Sequence, residues 1–200
     1  MRKLIVLTFV SLDGVMQAPG GKGEDPSGGF DLEGWTVPLF DEVLGNEMGK
    51  QMGLPFDLLL GRKTYDIFAA YWPQHNDEVG QGLNKATKYV VSNGTVNTEW
   101  KETIQIKGDV VAEIRKLKQQ AGPMIQVHGS SNLLQTLLAN DLVDELWLKI
   151  FPLTLGKGKR LFSEGTRSAA FKLMESKSTP SGVIIASYKR DGELKSGSFT

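Results

Sequence analysis

Residues suited to holding a phosphate group follow the apolar segment from Phe56 to Leu60. This segment is typical of a buried strand, Gly61 ends it, and a helix is predicted to begin near Lys63 or Thr64. The N-terminus of such a helix carries unpaired N–H groups and the positive end of the helix dipole. Arg62 offers a planar fork for phosphate oxygens, and Thr64 offers a hydroxyl. By itself the pattern fits a helix cap beside a surface arginine as well as a phosphate site, and other segments must decide between them.

Two more predicted strands end in small polar residues. The strand from Thr87 to Ser92 is followed by Asn93, and the strand from Met124 to His128 is followed by Gly129, Ser130 and Ser131 at the start of a predicted helix. Ligands of open α/β sheets bind beyond the carboxyl ends of the strands. Three such strand ends along one edge suit an extended ligand with separated phosphates, such as NADPH. We interpret the lone His128 as hydrogen-bonded rather than catalytic.

Candidate proton donors are three carboxylates. Asp13 lies in the turn after the predicted strand from Lys3 to Val10, and Asp41 and Glu47 lie in an amphipathic helix predicted over Pro38 to Met52. Glu47 borders the buried stripe of that helix, where partial burial would raise its pKa toward that of a useful donor, unless its side chain reaches out to solvent. Asp41 is expected to face solvent and to titrate normally.

The stripe of this helix is predicted to bury Phe40, Val43, Leu44, Met48 and Met52. Before the helix, residues 17–34 form a glycine-rich segment that Trp35 closes. A loop of this length within a domain is usually functional or disordered. We expect a flap over a ligand, with plain disorder as the alternative.

Composition excludes several classes of function. The 23 basic and 23 acidic residues cancel, so no nucleic-acid or anionic-membrane partner is expected. The absence of cysteine excludes thiolate catalysis and cysteine-based metal sites, and the two histidines are too far apart in sequence to suggest a zinc pair. No metal is therefore predicted. No apolar run reaches the ~18 residues of a membrane span, and the N-terminus lacks a signal-peptide pattern, so a cytoplasmic protein is expected.

The order of elements predicts an α/β fold. About eight strands and four helices form a mixed, mostly parallel sheet, and the last two strands, Phe171 to Ser176 and Val183 to Lys189, form an antiparallel hairpin. Residues 1–190 are expected to form one domain and residues 191–200 a polar tail. No dinucleotide fingerprint, phosphate-binding P-loop or nucleophile elbow is present.

The order of four short motifs resembles the dihydrofolate-reductase-like superfamily. They are Ser11-Leu12-Asp13-Gly14, Gly61-Arg62-Lys63-Thr64-Tyr65, Val90-Val91-Ser92 and His128-Gly129-Ser130. The later run, Leu142 to Leu146 followed by Pro152, Gly156-Lys157-Gly158 and Leu161-Phe162, is similar to the reductase domain of bacterial riboflavin-biosynthesis deaminase-reductases.

This resemblance implies a three-layer reductase fold and specific roles for the strand ends. Arg62 and Thr64 would hold the 2′-phosphate of NADPH beside Gly61, with Ser92 and Asn93 on its other side. Gly129, Ser130 and Ser131 would meet the pyrophosphate, and the segment from Val10 to Gly14 would lie near the nicotinamide. Neither Asp41 nor Glu47 aligns cleanly with the acid of true dihydrofolate reductases, and the zinc deaminase signature of the bifunctional relatives is absent.

The sequence thus predicts an NADPH-dependent reductase acting on a small heterocycle, with a ribosylamino-pyrimidine of riboflavin synthesis as the first choice. The alternatives are a pterin or folate reductase and a non-catalytic nucleotide-binding protein. A homodimer is also expected. In the strand from Asp144 to Ile150 and the following Phe151, the side chains of Trp147 and Phe151 lie on the face opposite Leu146 and Leu148. This second face is expected to need a partner's cover.

Overall fold

One eight-stranded sheet with helices on both faces makes up the structure, a computed structural model that describes residues 1–199. The elements, in chain order, are β1 (Leu4–Ser11), α1 (Glu42–Met52), β2 (Phe56–Gly61), α2 (Arg62–Tyr71), α3 (Glu78–Lys85), β3 (Lys88–Val91), β4 (Thr103–Ile106), α4 (Val110–Gln119), β5 (Met124–Val127), α5 (Ser131–Ala139), β6 (Glu145–Phe151), β7 (Phe171–Ser178) and β8 (Ile184–Arg190). Thr200, the last residue of the predicted tail, lies outside the described residues.

The strand order is β4-β3-β2-β5-β1-β6-β8-β7. Neighbouring strands from β4 to β6 pair in parallel, whereas β8 pairs antiparallel with both β6 and β7. This arrangement confirms the predicted mixed sheet with its C-terminal antiparallel hairpin. Because β2, β5 and β1 are adjacent and parallel, their carboxyl ends open on one edge of the sheet.

The apolar sequence of β1 follows from its central position, where both faces are covered. Leu4 and Val6 face the leucines of α5 and are fully buried, whereas Leu7 packs in the opposite layer with residues of α2 and α3. A third apolar cluster surrounds Phe151 and includes Leu44 of α1 and Trp35. The helices therefore lie in a layer on each side of the sheet.

The first helix begins later than predicted. Pro38 belongs to a short 3-10 turn, Phe40 is extended, and α1 starts at Glu42 with Asp41 as its N-cap. Phe40 is consequently 48% exposed, and the expectation that it joins the buried stripe is wrong. Leu44 and Met52 are buried as predicted.

One helix, α3, was not predicted. Its sequence contains Gly80 and Gly82, which weaken helix propensity. A Cβ at Gly80 would collide with the main-chain carbonyl group of His75. Tertiary packing, including the full burial of Leu83, therefore overrides propensity in this segment.

Both aromatic residues that motivated the homodimer are covered by the chain itself. Phe151 is fully buried, with Phe9 and Trp35 packed edge-on against its ring at 5.7 and 5.3 Å, and Trp147 is half-buried against the cluster around Leu7. The stated reason for dimerisation is therefore wrong, and the oligomeric state stays a prediction.

The helices are short. The longest one in residues 1–199, α1, has 11 residues, and none of them has the length and apolar character needed to cross a bilayer.

Candidate functional site

The ends of β2 and β5 approach each other through two glycines. The amide of Gly61 donates to the carbonyl oxygen of Gly129 over 3.1 Å. A Cβ at Gly129 would lie 2.6 Å from Oγ1 of Thr64, and a Cβ at Gly61 would collide with the side chain of Ser130. Only glycine fits at both positions, because Ser130 and Thr64 occupy the space that a side chain would need. This close packing brings the N-termini of α2 and α5 together, and we call the junction the cradle.

The two helices that start at this cradle have different caps. Gly61 caps α2 without a side chain, which leaves the first-turn N–H groups of α2 without a side-chain acceptor. Ser130 caps α5, and its Oγ accepts from the amide of Leu133 over 3.5 Å. Both N-termini therefore bring positive dipole ends to one edge, which favours an anionic ligand with more than one phosphate.

Arg62 is held at the mouth of the cradle. Its Nε lies 2.7 Å from both carboxylate oxygens of Asp66, and its Nη1 donates to the carbonyl oxygen of Thr95. Within the described residues, Nη2 has no hydrogen-bond partner. The bond to Thr95 brings Arg62 beside the turn that contains Ser92 and Asn93.

That turn is ordered by its own hydrogen bonds. Ser92 Oγ donates to the carbonyl oxygen of Gly94 over 3.2 Å, and Gln105 Nε2 donates to the carbonyl oxygen of Ser92 over 2.8 Å. Asn93 is exposed. The two residues thus form a rigid polar rim on the β3 side of Arg62.

The turn after β1 uses Asp13 as a structural acceptor. Its carboxylate accepts from the amides of Leu155 and Gly156 over 3.1 and 2.8 Å and from Ser11 Oγ over 2.5 Å. Although desolvation opposes the change, these hydrogen bonds lower the pKa of Asp13. Asp13 therefore ties the β6–β7 connection to the end of β1 as an ionised group.

The backbone of this turn is equally well fixed. Gly14 has a φ of +80°, a conformation that favours glycine, and its carbonyl oxygen accepts from Leu161 N over 2.9 Å. Val10, next to the turn, is buried in the core on the α5 side. The segment predicted to lie near a nicotinamide is therefore a rigid backbone surface.

Asp41 and Glu47 lie in different surroundings. Asp41 precedes α1 as its N-cap, whereas Glu47 lies within the helix. Asp41 caps the helix by accepting from Leu44 N over 2.9 Å, and its other oxygen accepts from Ser181 N over 3.0 Å. The bond from Leu44, together with those from Ser181, lowers the pKa of Asp41, so the expectation of normal titration is wrong.

Glu47 is largely enclosed, with a side chain that is 15% exposed. It forms an ion pair with Lys177 of β7, and Lys50 lies 3.7 Å away on the next turn of α1. The sequence placed Glu47 correctly at the edge of the buried face. It could not show the ion pair with Lys177, which comes from a strand distant in sequence.

A row of buried and half-buried polar side chains beneath α1 escaped the sequence analysis. It consists of Gln51, Gln126, His128 and Lys149, and we call it the polar row. Lys149 is fully buried and donates to Gln51 Oε1 over 2.5 Å, and burial lowers the pKa of Lys149 to about 7. The alternation in β5 and β6 was the available signal, since it places Gln126 with His128, and Lys149 with Trp147, on the α1 side of the sheet.

The glycine-rich segment of residues 17–34 is ordered, so the alternative of plain disorder is wrong. Trp35 Nε1 donates to the carbonyl oxygen of Gln17 over 2.8 Å. Asp25 lies between two cations, with Lys159 at 2.6 Å and Lys63 of α2 on its other oxygen. Although burial opposes the change, these bonds hold the pKa of Asp25 below its usual range.

Asp25 therefore fastens the segment to the N-terminus of α2, beside the cradle. A cavity of about 260 Å³ lies along the segment, lined by Gln17, Ser27, Gly28, Phe30, Lys157, Gly158 and Lys159. Asp25, Lys63 and Lys159 were not predicted to interact, because they are distant in sequence. Within residues 1–199 no cluster of three or more His, Asp or Glu side chains could hold a metal ion.

Comparisons with known proteins agree with this architecture. The profile of the RibD C-terminal domain matches residues 2–185. Two proteins of Bacillus subtilis (strain 168) are similar in sequence. The uncharacterized protein YyaP is 28% identical over 200 residues, with 96% of each chain covered, and the uncharacterized protein YwjB is 24% identical over 181 residues, with 88% of this chain and 91% of YwjB covered.

Three solved structures share the fold. A putative riboflavin biosynthesis protein from Shewanella sp. PV-4 aligns with a TM-score of 0.66 and 22% identity, covering 96% of this chain and 99% of its own. A pyrimidine reductase-like protein from Corynebacterium diphtheriae has a TM-score of 0.61 and 14% identity, with coverage of 96% and 93%. Dihydrofolate reductase from Enterococcus faecalis, complexed with NADP(H) and RAB-propyl, has a TM-score of 0.61 and 15% identity, with coverage of 94% and 96%. The fold is thus dihydrofolate-reductase-like.

Proposed function

Since the chain belongs to the RibD C-terminal domain family, we propose that it is an NADPH-dependent reductase whose substrate is a small heterocycle of the ribosylamino-pyrimidine class. The observation that carries the proposal is the cradle at Gly61 and Gly129, which brings two helix N-termini together. Such a junction would offer the phosphates of a dinucleotide the N–H groups and dipoles of two helices.

The residues present fit the cofactor in a definite order along the edge. Arg62, with its free Nη2, Thr64 and the rim of Ser92 and Asn93 would hold the 2′-phosphate. Gly129, Ser130 and Ser131 at the start of α5 would meet the pyrophosphate. The rigid segment from Val10 to Gly14 would lie against the nicotinamide. When bound, NADPH would supply the hydride.

The chain must also supply a proton and exclude water. Among the three predicted carboxylates, Asp13 and Asp41 accept hydrogen bonds from main-chain amides, which suits them to fixing backbone. Glu47 is the remaining candidate to hold or pass a proton at its carboxylate, and its two lysine neighbours could return one. The ordered segment of residues 17–34, fastened by Asp25, would limit water at the cradle.

Binding and turnover are tested separately. NADPH and NADH are titrated into the protein, with tryptophan fluorescence as the readout, and NADPH oxidation is followed with a panel of ribosylamino-pyrimidine, aldehyde and dihydrofolate substrates. We expect tighter binding of NADPH than of NADH, and oxidation with the pyrimidine. Turnover of dihydrofolate alone would indicate a folate reductase and contradict the proposed pyrimidine substrate. Binding without any turnover would indicate a non-catalytic nucleotide-binding protein. Equal, weak binding of both coenzymes would overturn the proposal.

We also propose a homodimer, supported by the family resemblance rather than by exposed aromatic residues, and a cytoplasmic location. Analytical ultracentrifugation at tens of micromolar protein tests the first. A single species of about 22 kDa, the mass of one chain, would contradict it.

A further inference from the structure

Hydrogen bonds link the residues of the polar row, and the first acceptor among them is a main-chain carbonyl group. The main-chain carbonyl of Gln51 can only accept, and Gln126 Nε2 lies 3.3 Å from it. The amide nitrogen of Gln126 therefore points toward α1, and its Oε1 points the other way. Gln126 is fully buried, so no water competes for this orientation.

This orientation fixes the proton on His128. Gln126 Oε1 lies 3.2 Å from His128 Nε2, and an amide oxygen can only accept, so Nε2 must carry the hydrogen. In a neutral imidazole the other nitrogen, Nδ1, is then an acceptor. It has no hydrogen-bond partner among residues 1–199. Every fully buried side-chain nitrogen or oxygen there has one, so Nδ1 of the half-buried ring keeps some contact with solvent.

The surroundings of His128 keep the ring neutral. Burial, and secondarily the charge of Lys149 on β6, lower the pKa of His128 to about 3. From α2, the ring of Phe68 packs at 5.9 Å. On α1, the carboxylate of Glu47 is paired with Lys177 of β7. Within residues 1–199 no carboxylate forms an ion pair with the imidazole, so none stabilises a positive charge on it.

We propose that His128 is a specificity-determining residue that accepts, at Nδ1, a hydrogen bond from an N–H group of the bound ligand. The proposal rests on the function proposed above, because His128 directly precedes Gly129 of the cradle. Two sources of such a group fit the site. One is the carboxamide of the nicotinamide ring, and the other is an exocyclic amino group of the pyrimidine. A carbonyl oxygen at the same place would be rejected, since two acceptors repel.

The tautomer is tested first on the protein without ligand. The chain has only two histidines, so ¹⁵N-edited NMR of the imidazoles, with His75→Gln to assign the signals, reports on His128 alone. We expect hydrogen on Nε2 and no titration of His128 between pH 5 and 8. Gln126→Leu should mix the tautomers, whereas Gln126→Glu should keep hydrogen on Nε2. A wild-type His128 protonated at Nδ1, or charged at pH 6, would overturn the proposal.

The ligand is tested next, with two probes. NADPH is added alone, and 5,6-diaminouracil is added in the presence of NADP⁺. The ¹⁵N signal of Nδ1 should move toward that of a hydrogen-bonded acceptor with NADPH if the carboxamide is the donor. It should move only with diaminouracil if the amino group is the donor. No movement with either probe would overturn the proposal.

Variants of His128 give a second readout through the Kd of the probe that moves Nδ1. One neutral hydrogen bond is worth about 0.5–1.5 kcal/mol, so His128→Leu should weaken binding by about 2- to 12-fold. His128→Asn places an amide oxygen near the position of Nδ1 and should recover most of the loss. Binding that His128→Leu leaves unchanged would contradict the proposal. If wild-type protein binds NADPH in preference to NADH and Nδ1 does not respond, only this inference fails. If it binds neither coenzyme, the proposed function fails as well.

Discussion

Oγ1 of Thr64, in the first turn of α2, lies only 2.6 Å from the position that a Cβ of residue 129 would occupy. The ends of β2 and β5 can therefore pack together because residue 129 has no side chain where the hydroxyl of Thr64 lies. This contact explains why the motifs at residues 61–65 and 128–130 belong together. Neither segment can change size at this point without moving the other.

Gly129→Ala should therefore lower stability by about 1–3 kcal/mol, the usual cost of overpacking. Thr64→Ala in the same chain should recover part of this loss, because it removes the colliding hydroxyl. Urea unfolding of the two single variants and the double variant measures the coupling. Additive losses would show that the glycine is needed for another reason.

Arg62→Ala should weaken NADPH binding by about 10- to 150-fold, since a charge-assisted hydrogen bond contributes about 1.5–3 kcal/mol. NADH lacks the 2′-phosphate, so its Kd should change little. Lysine at this position should restore only part of the affinity, because it lacks the planar fork. Arg167→Ala is the matched control, as Arg167 is another exposed arginine paired with an acid, Glu193. An equal loss for both coenzymes would mean that Arg62 supports structure.

Lys149 should make stability depend on pH above neutrality. Burial lowers its pKa to about 7, below the ~10.5 of an unfolded lysine. Between these values the unfolded chain binds more protons, so the free energy of unfolding should rise with pH. Relative to that of Lys149→Met, the free energy of unfolding of the wild type should rise by up to about 1.4 kcal/mol per pH unit.

Urea unfolding of both proteins at pH 7, 8 and 9 measures this difference. Lys88 is also buried, with a pKa lowered to about 8 by desolvation, but it contributes equally to both proteins and cancels. Lys107→Met, at an exposed position, serves as the control. Parallel curves for wild type and Lys149→Met would contradict the assignment of a buried, titrating amine.

Asp25→Asn should loosen the segment of residues 17–34. The change removes the charge that holds Lys63 and Lys159, and hydrogen exchange in the segment should accelerate about 10-fold or more. Asp31→Asn, which affects an exposed pair with Lys157, should leave the exchange nearly unchanged. Equal acceleration in the two variants would show that Asp25 does not fasten the segment.

Glu47→Gln should change turnover more than Asp41→Asn does. Glu47 lies on the sheet-facing side of α1, one turn before Gln51 of the polar row, whereas Asp41 accepts hydrogen bonds at the start of the helix. Asparagine remains a good N-cap, so Asp41→Asn should leave the pH–rate profile intact. The prediction is wrong if Asp41→Asn shifts the profile and Glu47→Gln does not.

Local sequence patterns were sufficient for most of the fold and for one edge of the site. Strand ends with glycine and serine identified the regions of Gly61, Ser92 and Gly129, because turn and cap chemistry is encoded within a few residues. The start of α1 was misplaced because Phe40 continues the apolar stripe, although Asp41 is the residue that caps the helix.

What the sequence could not provide are contacts between distant polar residues. Lys149 and Gln51 are 98 residues apart, and Asp25 and Lys159 are 134 apart. A lysine in an alternating strand predicts an exposed position, and only the packing of α1 over β6 encloses it. The same limitation applies to the tautomer of His128, which depends on an acceptor in another element.

The central position of β1 has a consequence for the synthesis of the protein. Its two neighbours, β5 and β6, begin only at Met124 and Glu145, so the first strand made is among the last to be paired. At about 5–20 residues per second, the ribosome needs roughly 6–23 s to extend the chain from the end of β1 to the start of β5. During this interval an apolar strand with two open edges is exposed, which is the kind of segment that aggregates. Nascent chains halted before residue 124 should therefore depend on chaperones, and released chains should not.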